Sequence, residues 1–544
     1  MKRLAPFLLL AATAVATPAC VEEDIYDGEE IKSEDGKADT SALAVFVDFE
    51  FEGEVVTDNA WNDKQVVQDQ LLYTVGLLNG STSVGRVDKV VITGITRSTS
   101  GAKTLIKYKA KLPVAWGQRN AVPDTFELAL PRDISSAGQT AFATKYSHSC
   151  VDVGAHDVDA GSMFYYYRPK ASGCTLADSD VVRLAATVSP SPSQTTGKFP
   201  EYNKIWEDGR LEVVAIFGKY EDGATTGSDA GIAAYNTFVK AMKTELGARQ
   251  LVTTPATLPT TVGVATPDIE FNATLPDGKK IRVIAMLTDN VTTGLSQPAF
   301  RSRYETLSSR ADYIVYNGHA GLGTNVRALA QKGKWVAGQY VVVYMNGCDT
   351  FAYIDDALFN AHKAVNPDDT TGYKYIDIVN NAMPAFFSSM SGATMSLFRG
   401  MVNTAEPKTY EQLFRNVDSS QIVLVTGEQD NTFTPGASGG GTTPPPAAWA
   451  GLTDSGTVTR SAVKKFATPT LAAGTYQFAI TGTGDADLYV RIGSEPTAST
   501  YDCRPYKTGS NETCEVTIAQ PTVIHAQVRG YATSSTYKLV GKKN

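Results

Sequence analysis

Residues 205–434 constrain the fold most, because continuous apolar strand-like runs alternate there with patterns of helical spacing. The strand-like runs cover residues 211–218, 281–287, 313–316 and 341–345. The spacing predicts helices over residues 229–246, 353–365 and 378–401. Strands that are apolar on both sides and alternate with helices are typical of a parallel sheet covered by helices on both faces. We therefore predict a central α/β domain.

Two of the predicted strands end in chemically active side chains. The run ending in YNGHAGLG carries His319, and the run ending in VVVYMNGCDT carries Cys348, 29 residues later. Reactive groups gather at the carboxyl ends of parallel strands, so we expect the imidazole beside the thiol. An imidazole can accept the proton of a thiol, and a helix N-terminus after Cys348 would lower the thiol pKa further. Asp349 is expected to cap that helix; binding of a basic substrate side chain by Asp349 is the alternative.

Glycines surround both residues. Gly318 and Gly321 flank His319, and Gly347 precedes Cys348. Backbone N–H groups in such turns are the usual donors to the oxyanion that forms when a nucleophile attacks a carbonyl. The pattern therefore favours a cysteine nucleophile with a histidine base.

The N-terminus predicts export. Met1, Lys2 and Arg3 precede an apolar run over residues 7–16, which is the pattern of a signal peptide over residues 1–20. A small residue before Cys20 also fits a bacterial lipoprotein site, so both lipidation of Cys20 and plain secretion stay open. The expected location is the bacterial outer membrane, through a lipid on Cys20, or the extracellular medium. A membrane would be contacted only through that lipid.

Export makes disulfides expected. Cys503 and Cys514 flank a turn-rich stretch, and Cys150 and Cys174 bracket a Gly-containing loop, so we predict these two bridges. Cys348 then remains unpaired, either as a reactive thiol or as a small buried apolar residue. Loop histidines 148 and 156 lie near Cys150, but their spacing matches no tetrahedral zinc site.

Outside the central domain the chain divides at changes in composition. Residues 21–40 are acidic and are predicted to be a solvated tether. Residues 41–193 contain short alternating strands, which predict an all-β, sandwich-like domain; its role as a pro-domain or a scaffold stays open. Residues 435–447 form a Gly/Pro linker, and residues 448–544 are predicted to form a C-terminal β-sandwich.

Charge and histidine content exclude two classes of function. The formal net charge is −8 and no basic block is present, which argues against a nucleic-acid partner. With five histidines and no HExxH spacing, a metallohydrolase is also disfavoured. The expected partner is a protein or peptide substrate.

The His319 and Cys348 blocks resemble those of caspase-type cysteine peptidases, the group that includes caspases, legumain, gingipains and separase. The resemblance covers residues 205–434 and implies a caspase-like α/β/α sandwich with Cys348 as nucleophile and His319 as general base and acid. It also implies an oxyanion hole formed by the N–H groups of Ala320 and Cys348. The family usually has Gly directly after its His, where this chain has Ala320.

Residues 448–544 are similar to the bacterial pre-peptidase C-terminal domain. The blocks DADLYVR and YDCRPY carry the resemblance, and it implies a small β-sandwich that accompanies secreted peptidases without performing hydrolysis. Asp485 and Asp487 are candidates for holding calcium; no other cofactor is implied.

These observations lead to two hypotheses. The first is an exported cysteine endopeptidase that forms an acyl-enzyme on Cys348. The alternative is a catalytically inactive, caspase-like envelope protein that acts as a binding or adhesion module. Selective modification of Cys348 that depends on His319 would distinguish them.

Overall fold

The computed structural model describes residues 43–58, 61–153, 155, 157–418, 420–435, 449, 451–469, 471, 474–498, 500–518 and 522–543. The chain divides into two compact units, Met1–Ala437 and Ser438–Asn544. The predicted N-terminal and central domains therefore belong to one unit. The predicted signal peptide, Cys20 and the acidic tether lie outside the described residues.

The N-terminal part of the first unit contains one antiparallel sheet. Its strands are β1 (Val45–Thr57), β2 (Ser83–Gly85), β3 (Val91–Ser100), β4 (Lys103–Trp116), β5 (Thr125–Pro131) and β6 (Val181–Pro190). They follow the order β2-β4-β1-β6-β5, with β3 also paired to β4. Four helices accompany this sheet: α1 (Asp63–Leu71), α2 (Thr74–Asn79), α3 (Ser136–Tyr146) and α4 (Met163–Tyr166).

The prediction of an all-β sandwich for residues 41–193 is wrong, because helices rather than a second sheet pack on the sheet. Side chains of α1 and α3, such as Val66, Leu71 and Phe142, share a core with the sheet residues Phe49 and Leu112. Alternating strands require a cover on one face, and here helices provide it. One aromatic run of this predicted β domain, MFYYYR from Met163, forms helix α4 rather than a strand.

An eight-stranded sheet forms the centre of the first unit. Its strands are β7 (Arg210–Gly218), β8 (Val252–Thr254), β9 (Asp268–Thr274), β10 (Lys280–Thr288), β11 (Tyr313–Asn317), β12 (Val341–Asn346), β13 (Ile376–Asn381) and β14 (Val423–Thr426). The strand order is β14-β13-β12-β11-β7-β10-β9-β8. The five strands from β13 to β10 in this order are parallel, and β14 and β9 pair antiparallel at the two sides.

Helices cover this sheet on both faces. They are α5 (Tyr202–Ile205), α6 (Ala230–Leu246), α7 (Val291–Ser296), α8 (Pro298–Ser308), α9 (Thr324–Lys332), α10 (Thr350–Tyr353), α11 (Ala357–Val365), α12 (Phe387–Val402) and α13 (Tyr410–Leu413). Alternate residues of β7 divide between two cores. Val213 and Phe217 pack with α6 and α12, whereas Val214 and Ile216 pack with α7, α8 and α9. Burial on both faces explains the continuous apolar run of β7.

Two predicted helices have different bounds. A single turn, α10, follows Cys348, and the longer helix α11 begins only at Ala357. The helix predicted over residues 378–401 begins at Phe387, because strand β13 occupies the preceding apolar run. A helix of one turn has little macrodipole. Helix α10 therefore does not provide the helix N-terminus that was expected to lower the thiol pKa of Cys348.

The second unit is a small antiparallel β-sandwich. Its strands are β15 (Leu452–Thr459), β16 (Val463–Ala467), β17 (Gly474–Thr481), β18 (Ala486–Ile492), β19 (Glu512–Ile518), β20 (Ile524–Gly530) and β21 (Ser534–Lys543). One sheet has the order β15-β21-β17-β19 and the other β16-β20-β18. Phe478 and Leu539 of the first sheet and Leu488 and Val528 of the second share one core. This confirms the predicted C-terminal β-sandwich.

Candidate catalytic site

The turns that carry His319 and Cys348 lie side by side at the carboxyl edge of the central sheet. Strands β11 and β12 are parallel neighbours, with Asn317 opposite Asn346. His319 comes two positions after Asn317, and Cys348 comes two positions after Asn346. The two turns also approach closely, since a Cβ added to Gly347 would lie 2.5 Å from the carbonyl oxygen of Gly318. Glycine is needed at position 347 because this contact leaves no room for a side chain.

The imidazole of His319 is held in one orientation. Its ring packs against those of Tyr220 and Phe387, with centroid distances of 5.2 and 5.3 Å, and these two rings also contact each other at 5.7 Å. Nε2 lies 2.9 Å from the carbonyl oxygen of Tyr220. A carbonyl can only accept, so Nε2 donates and carries the proton of the neutral ring. Nδ1 is then the basic nitrogen, and it is buried without a hydrogen-bond partner among the described residues. This is the arrangement expected of a general base.

Cys348 is buried, with 2% of its surface exposed, and its Sγ lies 3.7 Å from the carbonyl oxygen of Ala385. Its sulfur is in a disulfide, and no cysteine of the described residues is free. The prediction that Cys348 remains unpaired is therefore wrong for this structure. The prediction assigns the four cysteines at positions 150, 174, 503 and 514 to two bridges; Cys20 lies outside the described residues.

Ala320 has an ordinary backbone conformation. Its φ of −70° and ψ of −23° lie in the right-handed helical region, which any L-residue adopts without strain. Its nitrogen would be 3.3 Å from a Cβ added to Gly347, so this N–H lies beside the turn that carries Cys348. Alanine in place of the usual glycine therefore imposes no backbone strain.

Asp349 does not cap the helix that follows it. Although it occupies the N-cap position of α10, its side chain makes no capping hydrogen bond. Its Oδ1 instead accepts a hydrogen bond of 2.9 Å from Nδ2 of Asn79, in the N-terminal part of the unit. Burial raises the pKa of this carboxyl to about 7, against the opposing effects of Asn79 and the Arg168 charge. The contact ties the turn carrying Cys348 to helix α2.

A buried amide network lies under both turns, and sequence reasoning missed it. Asn346 donates from Nδ2 to Oδ1 of Asn317 at 2.8 Å, and its own Oδ1 accepts from Asn381 at 2.9 Å and from Gln421 at 2.8 Å. Thr394 also donates to Oδ1 of Asn317. The signal in the sequence is an asparagine at the last position of three successive buried strands, β11, β12 and β13.

A cavity of about 760 Å³ lies beside the two turns. Tyr220 and Phe387, which contact His319, line it, as does Ala385, whose carbonyl oxygen contacts Cys348. Asn79 and Arg168, from the N-terminal part, line the same cavity. His319 and Cys348 themselves are not among the residues that line the cavity. The volume is within the range of ligand sites, about 300–1,000 Å³.

Both predicted disulfides between described cysteines are confirmed. Cys150 is bonded to Cys174 and Cys503 to Cys514. His148 is exposed, and His156 lies outside the described residues.

The two calcium candidates have separate partners. Asp487 forms an ion pair of 3.3 Å with Arg504, and Asp485 accepts a hydrogen bond from the N–H of Gly509. In the described part of the chain, no group of three or more His, Cys, Asp or Glu side chains could hold a metal ion. A guanidinium beside Asp487 disfavours a second cation there.

A family model, the bacterial pre-peptidase C-terminal domain, matches residues 461–530. This confirms the predicted domain; the match does not include His319 or Cys348.

The named relatives match through this domain. A virulence metalloprotease of Vibrio anguillarum is 52% identical over 54 residues, 10% of this chain and 9% of that protein. A zinc metalloprotease of Helicobacter pylori is 52% identical over 54 residues, 10% of this chain and 21% of that protein. A solved structure, the solution structure of vEP C-ter 100, is 36% identical, with a TM-score of 0.10, and covers 18% of this chain and 80% of that one. The chain thus spans less than a quarter of the length of either curated relative.

The described residues contain no helix long and apolar enough to cross a membrane.

Proposed function

We propose that the protein is an exported cysteine endopeptidase whose nucleophile is Cys348 and whose general base and acid is His319. One observation carries the proposal: the basic Nδ1 of His319 is buried without a partner in a turn packed against the turn of Cys348. The central sheet with helices on both faces is what a caspase-like α/β/α sandwich requires. The signal-peptide pattern and the pre-peptidase C-terminal domain support export.

The proposed reaction has two steps. His319 accepts the thiol proton of Cys348, and the thiolate attacks the carbonyl carbon of the scissile peptide bond. The N–H groups of Ala320 and Cys348 donate to the oxyanion. The carbon–nitrogen bond then breaks, and the imidazolium gives its proton to the leaving amine. Water, deprotonated by His319, next attacks the thioester, which releases the carboxylic acid and restores the thiol.

The disulfide of Cys348 imposes a condition on this mechanism. A disulfide sulfur has no proton to lose and cannot attack a carbonyl, so the proposed enzyme requires that bond to be reduced first. Activity should therefore depend on an added thiol reductant.

The N-terminal part is proposed to be a permanent component of the site. Asn79 and Arg168 line the cavity, and Asn79 donates to the buried carboxyl of Asp349. Removal of this part would leave that carboxyl without its donor, so a role as a cleavable pro-domain is disfavoured.

The second candidate function is a catalytically inactive binding protein. The disulfide and the 2% exposure of Cys348 are the observations in its favour. On this account the cavity would bind a peptide without cleaving it.

Hydrolysis of a peptide library distinguishes the two. With a thiol reductant, the wild-type protein and the His148→Ala variant, which changes an exposed histidine, are expected to cleave peptides. The Cys348→Ser and His319→Ala variants are expected to lose cleavage while keeping the wild-type circular dichroism spectrum. Cleavage that persists in Cys348→Ser, or none by the reduced wild-type protein, would reject the proposal.

A further inference from the structure

A cluster of arginines and tyrosines lines a second cavity, in the C-terminal unit. We propose that this cavity binds a carboxylate-bearing polysaccharide. The cavity has a volume of about 430 Å³ and is lined by Arg460, Arg504, Arg529, Asp487, Tyr489 and Tyr531, among others. We call these six residues the arginine pocket. The proposal does not depend on peptide hydrolysis by the first unit.

The pocket lies on the outer face of the three-stranded sheet. Asp487 on β18 stands opposite Arg529 on β20 in the antiparallel register. Their neighbours along the strands, Leu488 and Val528, are fully buried in the core. Since side chains alternate along a strand, Asp487, Tyr489 and Arg529 point away from the core. The outer face of this sheet thus carries Asp487, Tyr489 and Arg529.

Positive charge in the pocket exceeds negative charge. Arg504 pairs with Asp487 at 3.3 Å, and the side chain of Asp487 is 7% exposed. Arg460 and Arg529 form no ion pair with any described residue at 4.0 Å or less. Residues 448–544 contain ten Lys and Arg against seven Asp and Glu, whereas the whole chain has a net charge of −8. The guanidinium groups of Arg460 and Arg529 are therefore left to bind an anion.

Arg504 is held in place by aromatic rings. Its guanidinium carbon lies 3.8 Å from the ring centroid of Tyr506 and 4.7 Å from that of Tyr489. Such stacking fixes the planar guanidinium, whose N–H groups match the geometry of a carboxylate. A fixed donor loses less entropy when a ligand binds.

The remaining aromatic side chain points to a sugar rather than a peptide. Tyr531 lines the pocket with 62% of its surface exposed, which leaves its ring available to the apolar face of a pyranose. One common mode of peptide binding adds a strand to a free sheet edge. Here β20 is the middle strand of its sheet, and β18 pairs with Cys503 on its other side. A sugar ring that stacks on Tyr531 could present its carboxylate to Arg460 and Arg529.

Calorimetric titration of the full-length protein with hexagalacturonate tests the proposal. The double variant Arg460→Gln/Arg529→Gln is expected to weaken binding about 100-fold, roughly tenfold for each lost charge-assisted contact. The control variant Lys538→Gln/Lys542→Gln removes two exposed charges from the other sheet and is expected to bind as the wild type does. Tyr531→Ala is expected to weaken binding about tenfold.

Three results would overturn the proposal. The first is no binding of hexagalacturonate by the wild-type protein at millimolar concentration. The second is equal weakening by the pocket variant and the control variant, which would indicate non-specific attraction. The third is equally tight binding of hexaglutamate with no effect of Tyr531→Ala, which would indicate an acidic peptide as the ligand.

Discussion

The chemistry of the candidate site depends on which nitrogen of His319 carries the proton. The carbonyl oxygen of Tyr220 can only accept, so it fixes the proton on Nε2 and leaves Nδ1 basic. The rings of Tyr220 and Phe387 also contact the imidazole. A histidine held in this way is prepared to accept one proton at one atom.

Asp349 provides a prediction about pH. Burial raises the pKa of its carboxyl from 3.8 to about 7 in the folded protein. The folded state therefore binds this proton more tightly than the unfolded state. The stabilisation is complete below about pH 4 and is lost as the pH rises through 7, with a slope of up to about 1.4 kcal/mol per pH unit. In Asp349→Asn, the free energy of unfolding should fall less steeply between pH 4 and 7.

Urea denaturation at pH 4.5, 5.5 and 6.5 measures this slope. Asparagine tolerates the left-handed backbone of position 349, where φ is 48°, so the substitution adds little strain. Asp178→Asn, at a side chain that is 90% exposed, serves as the control. An equal slope in Asp349→Asn and the wild type would contradict the assignment.

Three strand ends and the amides beneath them hold the two turns together. Asn346 joins the ends of β11 and β13 through Asn317 and Asn381, and all three side chains are fully buried. Removing one member would leave buried polar partners unsatisfied. The network therefore fixes the spacing of His319 and Cys348 before any substrate binds.

The close contact between the turns of His319 and Cys348 predicts that a methyl group added at position 347 would push them apart. In Gly347→Ala the new Cβ would lie 2.5 Å from the carbonyl oxygen of Gly318, so the turns must separate. Overpacking of this kind costs about 1–3 kcal/mol. We expect slower alkylation of reduced Cys348 than in the wild type, and a lower urea midpoint.

Gly392→Ala is the matched control, because a Cβ there meets no atom within 4 Å in the exposed part of helix α12. Equal alkylation rates in the two variants would show that the spacing of the turns has no effect on the thiol.

Apolar periodicity predicted helix α6 and four of the eight strands of the central sheet, β7, β10, β11 and β12, since those patterns reflect local burial. It failed where an apolar run fits both elements: residues 378–381 belong to strand β13, although the pattern favoured a helix. The sequence placed His319 and Cys348 at strand ends. It could not predict the hydrogen bond from Asn79 to Asp349, because these residues lie 270 positions apart in the sequence. Nor could it predict the tautomer of His319, which depends on a contact with Tyr220, 99 positions away.

At the scale of the molecule, the candidate site and the arginine pocket belong to different units. The cavity beside His319 is built entirely within Met1–Ala437, and the arginine pocket within Ser438–Asn544. Each unit has its own hydrophobic core. The proposed hydrolysis and the proposed glycan binding should therefore be separable.

A chain that ends at residue 437 tests this separation. It is expected to hydrolyse a short peptide at the wild-type rate after reduction and to lose the binding of hexagalacturonate. A folded, truncated chain that has lost hydrolysis would contradict this prediction; circular dichroism provides the check on folding.

Whether His319 serves as the base of Cys348 is tested by the rate at which iodoacetamide modifies reduced Cys348, measured by mass spectrometry of the peptide that contains it. An ordinary thiol with a pKa near 8.5 is only a few per cent ionised at pH 7, so loss of its base should slow the reaction about tenfold or more. We predict this decrease in His319→Ala and none in His148→Ala. An inert Cys348 after reduction, or an equal rate in His319→Ala, would contradict the assignment of the pair.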